Sequence, residues 1–230
     1  VFVLNTSNLE EVWLNEGLSH IAEELLYYSE SGNSPRTNID LAKINSTQAQ
    51  VDAANTYVLQ DLVRLKTYMV SPEVNSPYSP VDGLEMRGSI WQLLRYSADR
   101  KGGTEKSTWY SLVNTTATGQ ANFNAVFGSI TTMAHDWSIA QIADDAGLTV
   151  SASYTDPSWN FRSIMPQLNG SSFPLLTHSL VSAPVNVTLG GGGSAYMRFR
   201  VGASTVANLT ATSSAQPVPS TVDLTLVRTQ

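Results

Sequence analysis

Glu16 and His20 lie four residues apart, and their types and spacing suit metal chemistry. On a helix, positions four apart share a face, so the two side chains would lie one above the other, with Glu23 a further turn along. Carboxylates and imidazoles both bind zinc, and a catalytic zinc takes three protein ligands and one water. On an arbitrary helix, however, such a pair is more often a solvated surface pair that contributes only about 0.3 kcal/mol.

The sequence around Glu16 favours the metal interpretation. Residues 13–17 read Trp-Leu-Asn-Glu-Gly, and this stretch resembles the helix of the gluzincin zinc metallopeptidases (the thermolysin-like clan, including hyicolysin-like and aminopeptidase-like enzymes) that supplies the third zinc ligand. The resemblance implies that Glu16 is a zinc ligand and that His20 orients a zinc-bound histidine. Gly17 inside a helix costs about 1 kcal/mol relative to alanine, so we expect close approach of the neighbouring ligand helix there.

The resemblance continues to about residue 150. Residues 87–99 are similar to the Arg-Tyr-Leu-Ala-Asp helix that follows the active site in these families, and residues 121–128 and 136–140 resemble segments that close the same helical subdomain. Aminopeptidase-like members carry a catalytic tyrosine in Tyr-x-Lys-Gly. Residues 85–88 read Glu-Met-Arg-Gly instead, so Tyr78 or Tyr68 would have to replace that tyrosine.

The family's other two zinc ligands and its general base come from a His-Glu-x-x-His motif, which this sequence lacks. Only twelve residues precede Trp13. We therefore expect the C-terminal piece of a longer exported peptidase, truncated before its active-site motif. The resemblance implies zinc in the parent protein, a peptide or protein as substrate, and the missing portion as partner. The piece alone should neither hold catalytic zinc tightly nor hydrolyse peptide bonds.

Two other classes of function stay open. The chain could be a noncatalytic binding or cell-surface module derived from a peptidase fold, which the loss of the Tyr-x-Lys-Gly tyrosine favours. It could also be a structural helical domain with an adhesive β-sandwich. The remaining histidines suggest no site, because neighbours such as His135 and Asp136 do not share a helix face, and His178 has no evident partner.

Composition excludes several other classes. The 230 residues include 14% charged residues and a net charge of −6 without a basic cluster, which argues against nucleic acid as a partner. No segment has the roughly 18 uncharged apolar residues of a membrane span. The absence of cysteine excludes disulfides and thiolate chemistry. The Ser, Thr and Asn content is typical of exported bacterial proteins, so we expect a secreted or cell-surface location.

The periodicity of apolar residues predicts an α+β protein with two domains. An all-α bundle over residues 1–150 includes a helix from Ser7 or Asn8 to residues 31–32, and further helices over residues 46–69 and 84–100. We predict shorter helices after Thr104 and over 121–127 and 131–146. Alternating apolar and polar residues at 196–201 and 222–227 predict strands of a small antiparallel β-sandwich over residues 151–230.

Overall fold

The computed structural model describes residues 9–181 and 183–229, and most of its regular structure is helical. In chain order the α-helices are α1 (Val12–Ser31), α2 (Leu41–Ile44), α3 (Gln48–Ala53), α4 (Leu59–Met69), α5 (Leu84–Lys101), α6 (Glu105–Val113), α7 (Gly119–Phe127), α8 (Ile130–Ala143) and α9 (Phe161–Leu168). A π-helical turn, Ala54–Val58, joins α3 to α4, and a 3₁₀ turn, Ala152–Tyr154, precedes α9.

Capping residues account for three of the helix ends that the sequence predicted. Helix α1 ends at Gly32, which has φ 71° and donates its N–H to the Tyr28 carbonyl over 3.1 Å. The hydroxyls of Thr47 and Thr104 accept from the N–H groups that open α3 and α6. The predicted start of the first helix at Ser7 or Asn8 lies outside the described residues.

Two glycines let α5 pack closely against both α1 and α4. A Cβ atom at Gly17 would lie 2.7 Å from Leu94 Cδ1 and 2.8 Å from Ile90 Cγ1. A Cβ atom at Gly88 would lie 2.2 Å from the backbone of Arg64 in α4. The close approach predicted at Gly17 is therefore present, but the approaching helix is α5 and not a ligand-bearing helix.

The hydrophobic core continues past residue 150. Trp159, Phe161 and Met165 are buried in the same cluster as the side chains of α1, α4 and α5. The backbone of Ile39 also forms a parallel bridge with Trp159. The segment that follows the predicted domain boundary thus contributes side chains to the helical core.

The strands are short and lie in two separate pairs. Strand β1 (His178–Ser179) pairs in parallel with β2 (Met197–Arg198), and β3 (Thr212–Ser213) pairs antiparallel with β4 (Gln216–Pro217).

The chain is thus α+β, as predicted, but the described residues form two separate strand pairs and not the predicted antiparallel β-sandwich. Leu224 and Leu226, in the alternating segment 222–227, are 67% and 73% exposed. An amphipathic strand needs a partner sheet to cover its apolar face, and the described part of the chain provides none there.

We expect Gly88→Ala to destabilise the protein by about 3 kcal/mol, because the added methyl group would overlap the α4 backbone and separate two packed helices. That overlap outweighs the gain of about 1 kcal/mol in helix propensity. Urea unfolding measures the change. Gly191→Ala is the control, because no atom lies within 4 Å of its Cβ position. Equal stability of the two variants would contradict the close packing of α4 and α5.

Candidate functional site

Glu16 lies on α1 with its carboxylate directed at the start of α5. Its Oε2 is 3.2 Å from Nη1 of Arg87, and the Glu16 side chain is 22% exposed. Arg87 also donates two hydrogen bonds of 2.7 Å to the carboxylate of Asp82, which lowers the pKa of Asp82. Arg87 therefore connects Glu16 to the loop that precedes α5.

In this arrangement the Glu16 carboxylate could provide one ligand to a zinc ion. Carboxylates that bind metals are themselves hydrogen-bonded by neighbouring groups that fix their orientation, and Arg87 can provide that support. Arg87 is at the lysine position of the stretch that corresponds to Tyr-x-Lys-Gly, so this stretch contacts the Trp-Leu-Asn-Glu-Gly stretch. Within the described ranges, the one group of three metal-ligating side chains does not include Glu16. Glu16 alone cannot complete a catalytic zinc site.

His20 is buried one turn after Glu16, between carboxylates of its own chain. Its Nδ1 is 2.9 Å from Oδ1 of Asp61 in α4 and 3.1 Å from Oε2 of Glu23. Burial lowers the pKa of His20, but hydrogen bonds with Asp61 and Glu23 outweigh it and leave the pKa raised. The sequence did not predict Asp61, because helical periodicity alone does not show which α4 residue meets α1.

A groove of about 580 Å³ lies beside the loop that contains Asp82. Its walls come from the loop after α4, the start of α5 and the glycine turn at residues 190–192, and they include Tyr78 and Glu85. The Tyr78 ring packs edge-on against Trp13, one turn before Glu16, at 6.4 Å between centroids. Tyr68, by contrast, is fully buried. Tyr78 is therefore the candidate tyrosine that a ligand could reach.

The three histidines do not converge, because each contacts a different carboxylate. His178 Nε2 hydrogen-bonds Glu73, a partner that the sequence did not reveal. His135 Nδ1 lies 3.0 Å from Oδ1 of the adjacent Asp136, although neighbouring residues do not share a helix face. Asp136 also accepts from Arg100 at 2.6 Å, which indicates a structural ion pair.

A buried ion pair that the sequence did not predict fixes α1 against α5. Arg95 and Glu24 have fully buried side chains, and Arg95 Nε donates to Glu24 Oε2 over 2.7 Å. The indole N–H of Trp159 donates to the other Glu24 oxygen over 2.6 Å. Arg95 and Asp99 belong to the stretch 87–99 that resembles the family helix, whereas the contacts with Glu24 and Trp159 arise from tertiary packing.

A second buried polar cluster lies around Gln92 of α5. Gln92 donates to the buried Asp156 and accepts from Gln141, and Asp144 lines the same small cavity. Burial and the neighbouring Asp145 raise the pKa of Asp144 to about 7. The cavity has a volume of about 10 Å³, so this cluster is part of the core and not a ligand site.

Comparison with known proteins found no matching family model, curated protein or solved structure. Within the described residues, no helix combines the length and apolar character needed to cross a bilayer.

We expect stability to fall as the pH rises through 7. Because the folded-state pKa of Asp144 lies above its ordinary value of 3.8, its contribution is complete below pH 3.8 and is lost as the pH passes about 7. Asp144→Asn should stabilise the protein relative to wild type by about 2 kcal/mol at pH 8 and have little effect at pH 4. The gain at pH 8 is moderate because Asp144 is only half-buried and solvent screens its charge.

Thermal unfolding at both pH values measures this effect, with Asp223→Asn in the exposed C-terminal segment as control. Equal effects of Asp144→Asn at pH 4 and pH 8 would contradict the raised pKa.

Proposed function

We propose that this chain is the C-terminal helical part of an exported gluzincin-type zinc peptidase, in which Glu16 is the third zinc ligand. The contact between Glu16 and Arg87 is the observation that carries the proposal. It gives the candidate ligand a fixed orientation, and it joins the Trp-Leu-Asn-Glu-Gly stretch to the stretch that resembles Tyr-x-Lys-Gly.

The chain's own residues would orient the ligand and the substrate. Arg87, held by Asp82, contacts the Glu16 carboxylate and holds it at the start of α5. Tyr78, on the groove wall, is the candidate donor to the oxygen of a scissile carbonyl. The His-Glu-x-x-His portion would add two histidine ligands and the general base. Zinc, when bound, lowers the pKa of its water and polarises the carbonyl.

The proposal includes a secreted or cell-surface location and a C-terminal β-sandwich. Leu224 and Leu226 would lie on the apolar face of this sandwich, which a partner sheet would have to cover. In exported peptidases, accessory β-domains that follow the catalytic unit would have this position in the chain. Packing against the rest of the protein is their simplest role.

The alternative is a noncatalytic binding module that descends from a peptidase. The ion pair between Glu16 and Arg87 also favours this alternative. Glu16 already has a cationic partner in Arg87, so it requires no metal to compensate its charge. Glu85, which replaces the family's tyrosine, also lines the groove, where a carboxylate suits a cationic ligand better than an oxyanion.

In the longer protein that supplies His-Glu-x-x-His, we expect Glu16→Gln to lower kcat/KM for peptide hydrolysis at least ~1000-fold and to abolish catalytic zinc retention, because an amide is a much poorer zinc ligand than a carboxylate. Glu30→Gln, on the exposed side of α1, is the matched control and should leave both unchanged. Full activity of Glu16→Gln would contradict the assignment of Glu16 as a zinc ligand.

The chain alone should not cleave peptides, with or without added zinc, because it supplies one of the three required ligands and no general base. A quenched fluorescent peptide library, incubated with the purified chain and zinc, measures this. Cleavage that is lost in Glu16→Gln would show that the chain completes a catalytic site by another route, and would overturn the proposed division of ligands.

A further inference from the structure

His20, Glu23 and Asp61 form a cluster whose ligand-type atoms all lie within 4.8 Å of one another. Asp61 is fully buried, and its Oδ1 lies 2.9 Å from Nδ1 of His20. The second oxygen, Oδ2, has no hydrogen-bond partner among the described residues. A buried carboxylate oxygen without a partner is energetically costly, so Asp61 Oδ2 is available to bind a further group.

The chemistry and spacing of the three side chains suit a transition-metal ion. One imidazole with two carboxylates is a donor set for zinc and its neighbours, whereas calcium and magnesium favour oxygen alone. Tetrahedral zinc with bonds of about 2.0–2.1 Å places its ligands about 3.3 Å apart. The His20 Nδ1 distances of 2.9 Å and 3.1 Å to Asp61 and Glu23 therefore need to open by only a few tenths of an ångström.

We propose that His20, Glu23 and Asp61 form a binding site for one divalent ion of the zinc type. The ion would replace the proton between His20 Nδ1 and the two carboxylates, and would bring the unpartnered Asp61 Oδ2 into its coordination sphere. Glu23, whose side chain is 46% exposed, gives the ion a path from solvent. The site differs from the proposed Glu16 site and does not depend on the peptidase proposal.

Arg64 is the competitor for this position. Its Nη1 lies 2.9 Å from Asp61 Oδ1 and 3.4 Å from His20 Nδ1, so a cationic group already compensates the cluster's negative charge. The Arg64 side chain is 20% exposed, and its guanidinium would have to move toward solvent to admit the ion. Metal binding should therefore be limited by displacement of this guanidinium.

Isothermal titration calorimetry of the chelator-treated chain with zinc chloride tests the proposal. We expect one equivalent to bind. Glu23→Gln should weaken binding at least tenfold, because it removes one ligand at a partly exposed position without disturbing the core. Arg64→Met should tighten binding by removing the competing cation. Thermal unfolding of each variant shows that the fold is retained.

Two controls separate this site from the one proposed for Glu16. Glu30→Gln and Glu16→Gln should both leave the zinc stoichiometry and affinity of the chain unchanged. Loss of binding in Glu16→Gln would place the ion at Glu16 and overturn the His20 site while supporting the peptidase ligand. Absence of one-to-one binding in the wild-type chain, or equal binding by wild type and Glu23→Gln, would also overturn it.

Discussion

The buried ion pair between Glu24 and Arg95 is the interaction on which the rest of the helical structure depends. Both charges are removed from water, so the loss of Arg95 would leave Glu24 as an uncompensated buried charge at a cost of about 3–5 kcal/mol. Trp159 binds the same Glu24 carboxylate, which connects the segment before α9 to α1 and α5. One carboxylate thus joins three parts of the chain that are far apart in sequence.

The same pair fixes the register that places the candidate ligand. Glu16 precedes Glu24 by eight residues on α1, and Arg87 precedes Arg95 by eight residues on α5. Each glutamate contacts the corresponding arginine, so the two helices run parallel with ion pairs about 12 Å apart along their axes. Gly17 lies between the two pairs, where it allows the helices to approach. A shift of one helix turn would break both contacts, so the buried pair holds Glu16 against Arg87.

The sequence predicted the parts of this structure that depend on local rules. Gly32 and Thr104 mark helix ends because a left-handed residue and a hydroxyl cap act within one turn of the chain. Gly17 indicated close packing because glycine is costly inside a helix without such a reason. In each case the physical cause lies in the residue itself or in its nearest neighbours.

The parts that the sequence did not predict depend on tertiary packing. Asp61 meets His20 because α4 packs near α1, and Trp159 enters the core although it follows the predicted domain boundary. The alternation at residues 222–227 describes an amphipathic strand, but alternation does not identify the surface that would cover it. The family resemblance predicted Glu16 as a zinc ligand. It did not predict the ion pair between Glu16 and Arg87, because the resemblance concerns only the residue types at positions 85–88.

The assignment of Glu16 as a zinc ligand is tested most directly by determining the coding sequence immediately upstream of Val1. A His-Glu-x-x-His motif within a few helical turns of Trp13 is the predicted result, and it would supply the two histidines and the general base that a zinc peptidase needs. A start codon or an unrelated domain at that place would contradict the assignment, and the groove beside α5 would then belong to a noncatalytic binding module.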